Sequence, residues 1–420
     1  MHIFSASLAV PFAVSCAGPE SAPTDRELVS PSATAEARPI ADPKPTETEP
    51  PPEPPPIIVS HTDPPKLPGD PVPTQISVGD SHACARMSDD TARCWGANGS
   101  GQIGDGVMRS DADEPATVSG LDNIVEIAAG ESFTCARLRD RSVWCWGGHA
   151  ESQLGTGEIG GHREPRPVQG LDHVIELSAA DNYACGRRDD RTVWCWGDNT
   201  WSQLGDSTTE ARTGPVKVVG LSDALQVDAS DNACVRRAGQ GLGCWGMNQN
   251  KTMAALPLEN VVDVSAGLLG CAVLEDGSVH CWGPNNSGQL GREADNEHLL
   301  APTPIPGLLS TPTPIPGLTE VVAVSTSTTH ACALKTDGQL FCWGKQSANP
   351  QGFSRDCLRM TQNSSGGGSA AQWKYCATPT RVPGLKPVSQ IATNYFQLCA
   401  LTTDHQVWCW GEPKGRVRHL

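Results

Sequence analysis

Short runs of alternating apolar and polar residues, separated by Gly and Pro, recur along most of this chain. In one unit "IVEIAAG" (124–130) is followed by "FTCARL", a turn, "SVWCWG", a Gly-rich "SQLGTG" and "PRPVQGL" (165–171). Alternation with period two over four to six residues is typical of β-strands. No long stretch has apolar residues at helical spacing, so the pattern predicts an all-β protein.

The unit occurs seven times, and each copy has two Cys ten positions apart with Trp-Gly after the second. A period of roughly fifty residues predicts a repeat architecture. The pairs are Cys84/Cys94, Cys135/Cys145, Cys185/Cys195, Cys234/Cys244, Cys271/Cys281, Cys332/Cys342 and Cys399/Cys409. The hairpins that contain them are predicted at 82–96, 133–147, 183–197, 232–246, 269–283, 330–344 and 397–411.

The midpoint between the paired Cys is Asp in six units, as at Asp89, and Gly277 and Gly338 follow it in two. This favours a three-residue turn whose last residue is left-handed. Such a turn places the two Cys opposite each other, within disulfide reach. We therefore predict seven cross-strand disulfides, and an eighth between Cys357 and Cys376 in the insertion 345–377.

Cys16 is left over from this pairing, and it follows a short apolar N-terminal run. Residues 1–16 are similar to a bacterial lipoprotein signal, although Ala13 stands where Leu is usual and Lys and Arg are absent. We expect lipid attachment at Cys16, with an ordinary secretory signal as the alternative. Residues 17–73 are rich in Pro, Glu and Thr and are predicted to be a disordered tether. Disulfides require an oxidising compartment, so export is expected.

The net charge of −16, without a basic stretch, argues against nucleic-acid binding. The chain lacks GxSxG, HExxH and Walker motifs, and its His residues show no metal-ligand spacing. His82 and His330 occupy one repeat position that other units fill with Phe, Tyr, Asn or Leu, so we interpret it as structural. No catalytic residue, metal or cofactor is predicted.

The segments "CAVLEDGSVHCWGPNNSGQLG" (271–291) and "CARMSDDTARCWGANGSGQIG" (84–104) resemble the repeats of the regulator of chromosome condensation family. The resemblance covers about residues 74–411 and implies a seven-bladed β-propeller of four-stranded blades, with the domain at 74–420. Unit four lacks the Gly-rich loop, and "PTPIPGL" occurs twice, at 302–308 and 312–318. The last blade lacks a fourth strand, for which "PIIVS" (56–60) or the tail "GRVRHL" are the candidates.

Function is expected on the variable loops of the ring, where exposed aromatic residues can anchor a partner. Trp201, Trp373 and Tyr375 are the candidates. We expect a monomeric interaction module at the envelope of a bacterium, on the outer membrane or cell surface, with a protein partner and membrane contact through the lipid alone. Nuclear members of the family act on a small GTPase, which is not expected for an exported chain. The alternatives are a secreted enzyme inhibitor, as in a β-lactamase-inhibitor relative, or a carbohydrate-binding or hydrolytic propeller, and a periplasmic or secreted location.

Overall fold

The computed structural model describes residues 69–107, 109–158, 160–239, 241–246, 250–294, 312–345, 358–361, 372–395 and 397–411. These residues form 28 strands in seven antiparallel sheets and contain no helix. Each sheet is one blade of a β-propeller, so the predicted all-β, seven-bladed architecture is confirmed.

Strands pair in chain order in most blades, because each is joined to the next by a short turn or loop. Blade 1 contains β1 Pro73–Val78, β2 His82–Met87, β3 Ala92–Ala97 and β4 Asp111–Thr117. Blade 2 contains β5 Ile124–Ala129, β6 Phe133–Leu138, β7 Val143–Gly147 and β8 His162–Pro167. Blade 3 contains β9 Val174–Ala179, β10 Tyr183–Arg188, β11 Val193–Gly197 and β12 Arg212–Lys217.

Blades 4 and 5 also have four strands, and among the described residues blade 6 has five and blade 7 has three. Blade 4 contains β13 Ala224–Ala229, β14 Asn232–Arg237, β15 Gly241–Gly246 and β16 Asn250–Leu256. Blade 5 contains β17 Val261–Ser265, β18 Gly270–Leu274, β19 Val279–Trp282 and β20 Thr313–Pro314. Blade 6 contains β21 Val321–Thr326, β22 His330–Lys335, β23 Leu340–Lys345, β24 Leu358–Thr361 and β25 Gln372–Arg381, in the order β21-β22-β23-β25-β24. Blade 7 contains β26 Val388–Thr393, β27 Gln397–Thr402 and β28 Val407–Gly411.

Every predicted hairpin pairs its two Cys directly. In blade 2, Cys135 is opposite Cys145, their Cα atoms are 4.1 Å apart and the sulfurs are bonded. The same Cα separation and an S–S bond are found in the other six blades, in the pairs Cys84–Cys94, Cys185–Cys195, Cys234–Cys244, Cys271–Cys281, Cys332–Cys342 and Cys399–Cys409. The residue after the turn midpoint is left-handed, with φ of 70° at Arg141 and 76° at Gly277. The predicted turn and the seven cross-strand disulfides are therefore present.

Apolar side chains fill the spaces between neighbouring blades. Between blades 1 and 2, Val118, Leu121 and Ile127 pack with Trp146, the Trp that follows a hairpin Cys. Gly147 comes next with φ of 108°, and a Cβ there would lie 2.6 Å from the carbonyl oxygen of Ser132. Only Gly allows the chain to turn here at this distance. The repeated Trp-Gly is thus a packing element.

The ring closes between the last blade and the first. The side-chain amide of Gln390 in β26 accepts a hydrogen bond from the backbone N–H of Ile76 (2.8 Å) and donates one to its carbonyl (3.1 Å). His405 also contacts the carbonyl of Pro73 through Nδ1, at 3.0 Å. An apolar cluster that includes Met87 and Leu401 fills this junction. Blades 7 and 1 are therefore neighbours in the same way as the other pairs.

Three sequence predictions concern the ends and the insertions. The second "PTPIPGL" copy supplies β20, which pairs with β19, and the insertion adds a fifth strand to blade 6. Several predictions concern residues outside those that the structure describes: the first copy (302–308), the N-terminal segments 1–16 and 17–68, "PIIVS", the C-terminal tail and Cys357. Cys376 is buried in β25. Its predicted pairing with Cys357 stays a prediction.

Candidate protein-binding face

Antiparallel strands that alternate in direction sort the connections of a propeller onto two faces. The turns after the first strand of each blade and the connections after the third strand lie on one side, here named the loop face. The turns between the second and third strands, and the links from one blade to the next, lie on the other, named the hairpin face. The most variable segments of the repeat begin on the loop face, because they all follow a third strand.

The fourteen paired Cys lie inside the blades and do not contribute to either face. All of them are buried, and among the described residues that line the two cavities discussed below there is no Cys. In six blades the second Cys also lies opposite a fourth-strand residue: Cys94 and Ala116, Cys145 and Arg166, Cys195 and Val216, Cys244 and Ala254, Cys281 and Thr313, and Cys342 and Thr380. These Cys therefore have the structural role predicted for them and are not available to a partner.

The loops after β3, β7, β11 and β19 share one fold that is held by a Gln. In blade 3, the backbone N–H of Trp201 donates to Oε1 of Gln203 (2.8 Å). The carbonyl of Gln203 in turn accepts a hydrogen bond from Nε1 of Trp245 in blade 4 (2.9 Å). The equivalent bonds to the preceding blade are made by Trp146, Trp196 and Trp343. Each loop is therefore fixed at its base by the next blade.

Trp201 projects from this fixed loop and is half exposed (50 %). The equivalent positions in blades 1, 2 and 5 are Ser100, Glu151 and Ser287, and each makes the same bond from its N–H to a Gln side chain. Because Ser supports the same backbone, the loop does not require a Trp for its conformation. The large apolar side chain at position 201 is therefore not needed for the conformation of the loop and is available for contact with a partner.

The other two predicted binding residues, Trp373 and Tyr375, belong to β25. Their backbone pairs with Met360 and Leu358 of β24, and their side chains lie outside the described residues. The structure therefore brings them together on the outer extension of blade 6. Trp201 lies on blade 3, so the three candidates do not form one cluster.

The first strands of the blades enclose an axial channel. Its cavity has a volume of about 380 Å³ and is lined by residues from all seven first strands. A polar side chain near the start of most of these strands bonds to the backbone of the next blade. Gln75 Oε1, for example, accepts from the N–H of Ile127 (3.0 Å), and Asp263 Oδ2 accepts from Val324 (2.9 Å).

At the loop face, the channel mouth gathers carboxylates from four successive blades: Asp80, Glu131, Asp181 and Asp231. Tyr395 of blade 7 reaches across the mouth and donates a hydrogen bond to Asp231 Oδ1 (2.5 Å). The N–H of Leu268 also donates to Asp231, at 3.4 Å. The same Tyr395 hydroxyl also lies beside Asp181, and the neighbouring Asn394 lies beside Asp80. Loops of five blades therefore meet over the axis.

Three of these carboxylates, those of Asp80, Asp181 and Asp231, are costly to ionise. Burial raises the pKa of Asp181 to about 7, and repulsion from Asp231, Asp80 and Glu131 adds to the effect. Burial, with repulsion from Glu131, raises the pKa of Asp80 to about 6. Burial also raises the pKa of Asp231, against the hydrogen bond from Tyr395. Acidic groups that resist ionisation together on an open face are typical of functional surfaces.

Sequence reasoning missed this mouth, although a signal was present. Asp80, Glu131 and Asp181 each lie four residues before the first Cys of their unit. A column of acids in three consecutive repeats becomes a cluster only when the ring closes around one axis. Within a single unit, each is one acidic residue in a turn and does not stand out.

A cleft of about 580 Å³ extends the mouth outward on the loop face of blades 1 to 3. Glu131, Glu151, Arg163 and Asn182 are among the side chains that line it. Asn182 donates to Glu131 (3.0 Å) and accepts from Gln153 (3.1 Å). The cleft thus offers carboxylates, amides and a guanidinium.

The described part of the chain contains no group of three or more His, Cys, Asp or Glu side chains arranged to hold a metal ion. In the same residues, no helix of the length and hydropathy needed to cross a membrane occurs. His82 and His330 are buried at the starts of β2 and β22, in keeping with the structural role expected for them.

Family models for the regulator of chromosome condensation (RCC1) repeat match residues 74–102, 124–153 and 321–349, and residues 94–137, 140–186, 190–235 and 276–334. Together these matches cover more than half of the chain. The chain belongs to the RCC1 repeat family. The resemblance inferred from the repeats is therefore confirmed.

Curated relatives match part of the RCC1 propeller. Protein pim1 of Schizosaccharomyces pombe is 28% identical over 168 residues, which are 40% of this chain and 30% of that protein. The regulator of chromosome condensation of Mus musculus is 27% identical over 172 residues, or 41% of this chain and 35% of its own length. The alignments thus span about a third of these relatives.

Solved structures share the fold at low sequence identity. Human WBSCR16 superimposes with a TM-score of 0.65 at 20% identity, over 80% of this chain and 88% of that one. Prp20p of Saccharomyces cerevisiae, whose structure was described with its binding properties to Gsp1p and histones, gives a TM-score of 0.62 at 20% identity. That alignment covers 76% of this chain and 80% of Prp20p.

Proposed function

We propose that this RCC1 propeller is an exported protein-interaction module that binds a protein partner through its loop face, with Trp201 as an anchor. The observation that carries the proposal is the exposure of Trp201 on a loop whose conformation does not need it. Rigid aromatic side chains lose little conformational entropy on binding and dominate many protein interfaces. Membership of a family whose relative Prp20p is described by its binding to proteins supports the same class of function.

The carboxylates of the loop face favour one kind of protein partner over others. Burial, and after it repulsion from Asp231, Asp80 and Glu131, raises the pKa of Asp181 at the channel mouth. Burying them in an interface favours a partner that supplies hydrogen-bond donors or positive charge there. A secreted enzyme is one class of partner that a rigid ring of this kind would block, so enzyme inhibition is a form of the same proposal.

Export and lipid anchoring belong to the proposal as well. Seven disulfides in one chain are typical of proteins that fold outside the cytoplasm. Cys16 and the Pro-rich segment that follows suit a lipid-anchored ring on the envelope of a bacterium, held away from the membrane by an extended tether.

The binding proposal is tested with a Trp201→Ser variant of the full chain. Ser occupies the same position in blades 1 and 5, so the loop should keep its fold. We expect a loss of about 2 kcal/mol of binding free energy or more, roughly a 30-fold weaker complex. A photoreactive residue is placed at position 151 on the loop face. The measurement is the yield of the complex that it cross-links to a native partner.

Val219→Ser is the matched control, because Val219 is equally exposed (53 %) but lies on the hairpin face. The control should retain the cross-linked species, and a photoreactive residue at position 219 should give none. If Trp201→Ser cross-links as well as the wild type, or Val219→Ser alone abolishes the product, the assignment of the loop face is wrong.

Lipid attachment is tested by metabolic labelling with a radioactive fatty acid in a bacterial host. The wild-type chain should carry the label and sediment with membranes, and a Cys16→Ser variant should lose both properties. A wild-type chain that is exported without label would contradict the anchor and leave a secreted ring.

A further inference from the structure

The loops after β3, β7, β11 and β19 are also closed from inside by one side chain, three residues after the repeated Trp. In three of the four loops it is an Asn: Asn98, Asn199 and Asn285. Asn98 Oδ1 accepts from the N–H of Ile103 (3.1 Å), and Nδ2 donates to the carbonyl of Val107 (3.0 Å). In blades 3 and 5 the N–H groups of Leu204 and Leu290 are bound in the same way, at 3.0 Å each. The amide thus holds its loop with one acceptor and one donor.

Blade 2 has His149 at this position, and its imidazole makes the same two bonds. Nδ1 accepts from the N–H of Leu154 (3.1 Å), and Nε2 donates to the carbonyl of Glu158 (2.5 Å). A backbone N–H can only donate and a carbonyl can only accept, so the two partners fix the neutral tautomer with its proton on Nε2. His149 therefore replaces the amide acceptor for acceptor and donor for donor, but in this protonation state alone.

A second proton does not fit this arrangement. It would be placed on Nδ1 and would face the N–H of Leu154, so that two donors meet without an acceptor between them. His149 is 6 % exposed, and Leu154 is fully buried in the apolar cluster between blades 2 and 3. Burial, with repulsion from His162, lowers the pKa of His149, against the hydrogen bond to Glu158. The closed loop is therefore the loop of the neutral imidazole.

The surroundings of His149 offer a place for a charged imidazole outside the closed loop. The charged and titratable groups there are Glu131 of the turn before β6, Glu151 and Glu158 of the loop itself, and His162 and Arg163 of β8. The loop of blade 1 and the turn before β10 contribute the uncharged Ser100 and Asn182. His149 lines the cleft of the loop face together with Glu131 and Glu151. An imidazolium that leaves Leu154 can thus find carboxylate acceptors in that cleft.

We propose that His149 is a pH-sensitive switch of the loop after β7. The neutral imidazole closes the loop as Asn does in blades 1, 3 and 5. On acidification the imidazole takes up a proton, its bond to Leu154 is lost, and the ring turns into the cleft toward Glu131 and Glu151. The cleft then changes shape, whereas the loops closed by Asn do not respond, because an amide does not titrate in this range.

The two states of this loop exist without a partner, so the switch does not depend on the proposed binding function. A protein that binds in the cleft would respond to pH through it, because such a partner favours one loop state over the other.

The switch is tested by hydrogen exchange of the full chain at about pH 7.5 and about pH 5, expressed as protection relative to an unfolded amide. In an open loop His149 has its ordinary pKa of 6.5, which favours opening by up to about 30-fold at pH 5. The Leu154 amide should therefore lose about tenfold or more of its protection relative to the Leu204 amide. Leu204 is the internal control, since Asn199 holds it in the same way.

His149→Asn is the matched variant, because it introduces the residue of the other three loops. The loop should fold as in the wild type, and the Leu154 amide should follow the Leu204 amide at both pH values. His162→Gln removes the neighbouring imidazole and its repulsion. The loss of protection at Leu154 should persist in that variant and should begin at a higher pH.

Several results would overturn the switch. Equal losses at Leu154 and Leu204 in the wild type would show that acid destabilises the whole ring, and a Leu154 amide that stays protected would show that the proton does not open the loop. A loss that persists in His149→Asn, or disappears in His162→Gln, would assign the pH sensitivity to another group. Nitrogen-15 spectra that place the proton of the neutral His149 on Nδ1 would contradict the tautomer.

Discussion

His82 shows how one buried side chain can make the stability of the ring depend on pH. Thr134 donates its hydroxyl proton to the carbonyl of Gln102 (2.8 Å), so it can only accept from His82 Nε2, at 2.8 Å. The proton of the neutral imidazole is therefore on Nε2. Nδ1 is buried and has no hydrogen-bond partner among the described residues, so a second proton there would meet no acceptor. Burial accordingly lowers the pKa of His82 from 6.5 to about 4.

The sign of the pH effect follows from these two values. The unfolded chain takes up this proton below pH 6.5, but the folded protein takes it up only near pH 4. The contribution to stability is therefore complete above pH 6.5 and is lost as the pH falls through this window. At about pH 4.5 the loss is about 2–3 kcal/mol.

We expect His82→Phe to remove that loss. Phe is the residue at the same position of blade 2, where Phe133 is fully buried. Urea unfolding at about pH 7 and about pH 4.5 measures the effect, and the wild type should lose about 2–3 kcal/mol more than the variant between the two. His330→Phe is a second case, since burial lowers its pKa to about 4 as well. Equal losses in wild type and both variants would contradict the assignment of neutral, buried imidazoles.

At the scale of the single strand and turn, the sequence was sufficient. The spacing of Cys135 and Cys145 implied a hairpin, its midpoint implied the turn, and both follow from contacts between residues that are close in the chain. Seven copies of the same spacing gave the number of blades. Local geometry repeated many times leaves little freedom, so hairpins, disulfides and ring size were all predictable.

Features that depend on contacts between distant units were not predictable in this way. Tyr395 and Asp231 are 164 positions apart, and no local pattern relates them. Blade 6 gained a fifth strand from an insertion that reads as a Gly- and Ser-rich loop. Trp201 was found as an unusual residue in its repeat, but its exposure depends on the packing of Trp245 under the loop. The candidate site was therefore located only in part.

At the scale of the whole molecule, side chains on the first strands tie the blades together around the axis. The position taken by Gln75 in blade 1 is filled in the other blades by Glu126, Glu176, Gln226, Asp263, Ala323 and Gln390. Each polar member bonds to the backbone of the next blade. Blade 6 has Ala323, whose methyl group cannot make such a bond to blade 7.

The bonds made at the position of Gln75 form the first tier. A second tier of hydrogen bonds, made two positions further along the first strands, partly compensates for the missing bond between blades 6 and 7. Ser325 Oγ accepts from the N–H of Thr393 (3.0 Å), as Ser77 accepts from Ala129 (2.9 Å) between blades 1 and 2. Blades 1 and 2 thus have both tiers, whereas blades 6 and 7 have the second tier without the first. We infer that the junction of blades 6 and 7 is weaker than that of blades 1 and 2, because the backbone of Ile391 lacks the side-chain amide partner that Ile127 has in Gln75.

Ala323→Gln should complete the missing tier. The new amide can accept from the N–H of Ile391 and donate to its carbonyl, as Gln390 does for Ile76. The two bonds, less the entropy of fixing the side chain, should raise the free energy of unfolding by about 1 kcal/mol. Gln75→Ala, the reverse change between blades 1 and 2, should lower it by about 1–2 kcal/mol. Urea unfolding measures both variants, and slower hydrogen exchange at the Ile391 amide locates the gain. Ala323→Gln could leave the hydrogen-exchange rate of the Ile391 amide unchanged while Gln75→Ala lowers the free energy of unfolding. In that case the axial bonds are not equivalent around the ring, and the inference that the junction of blades 6 and 7 is weaker is wrong.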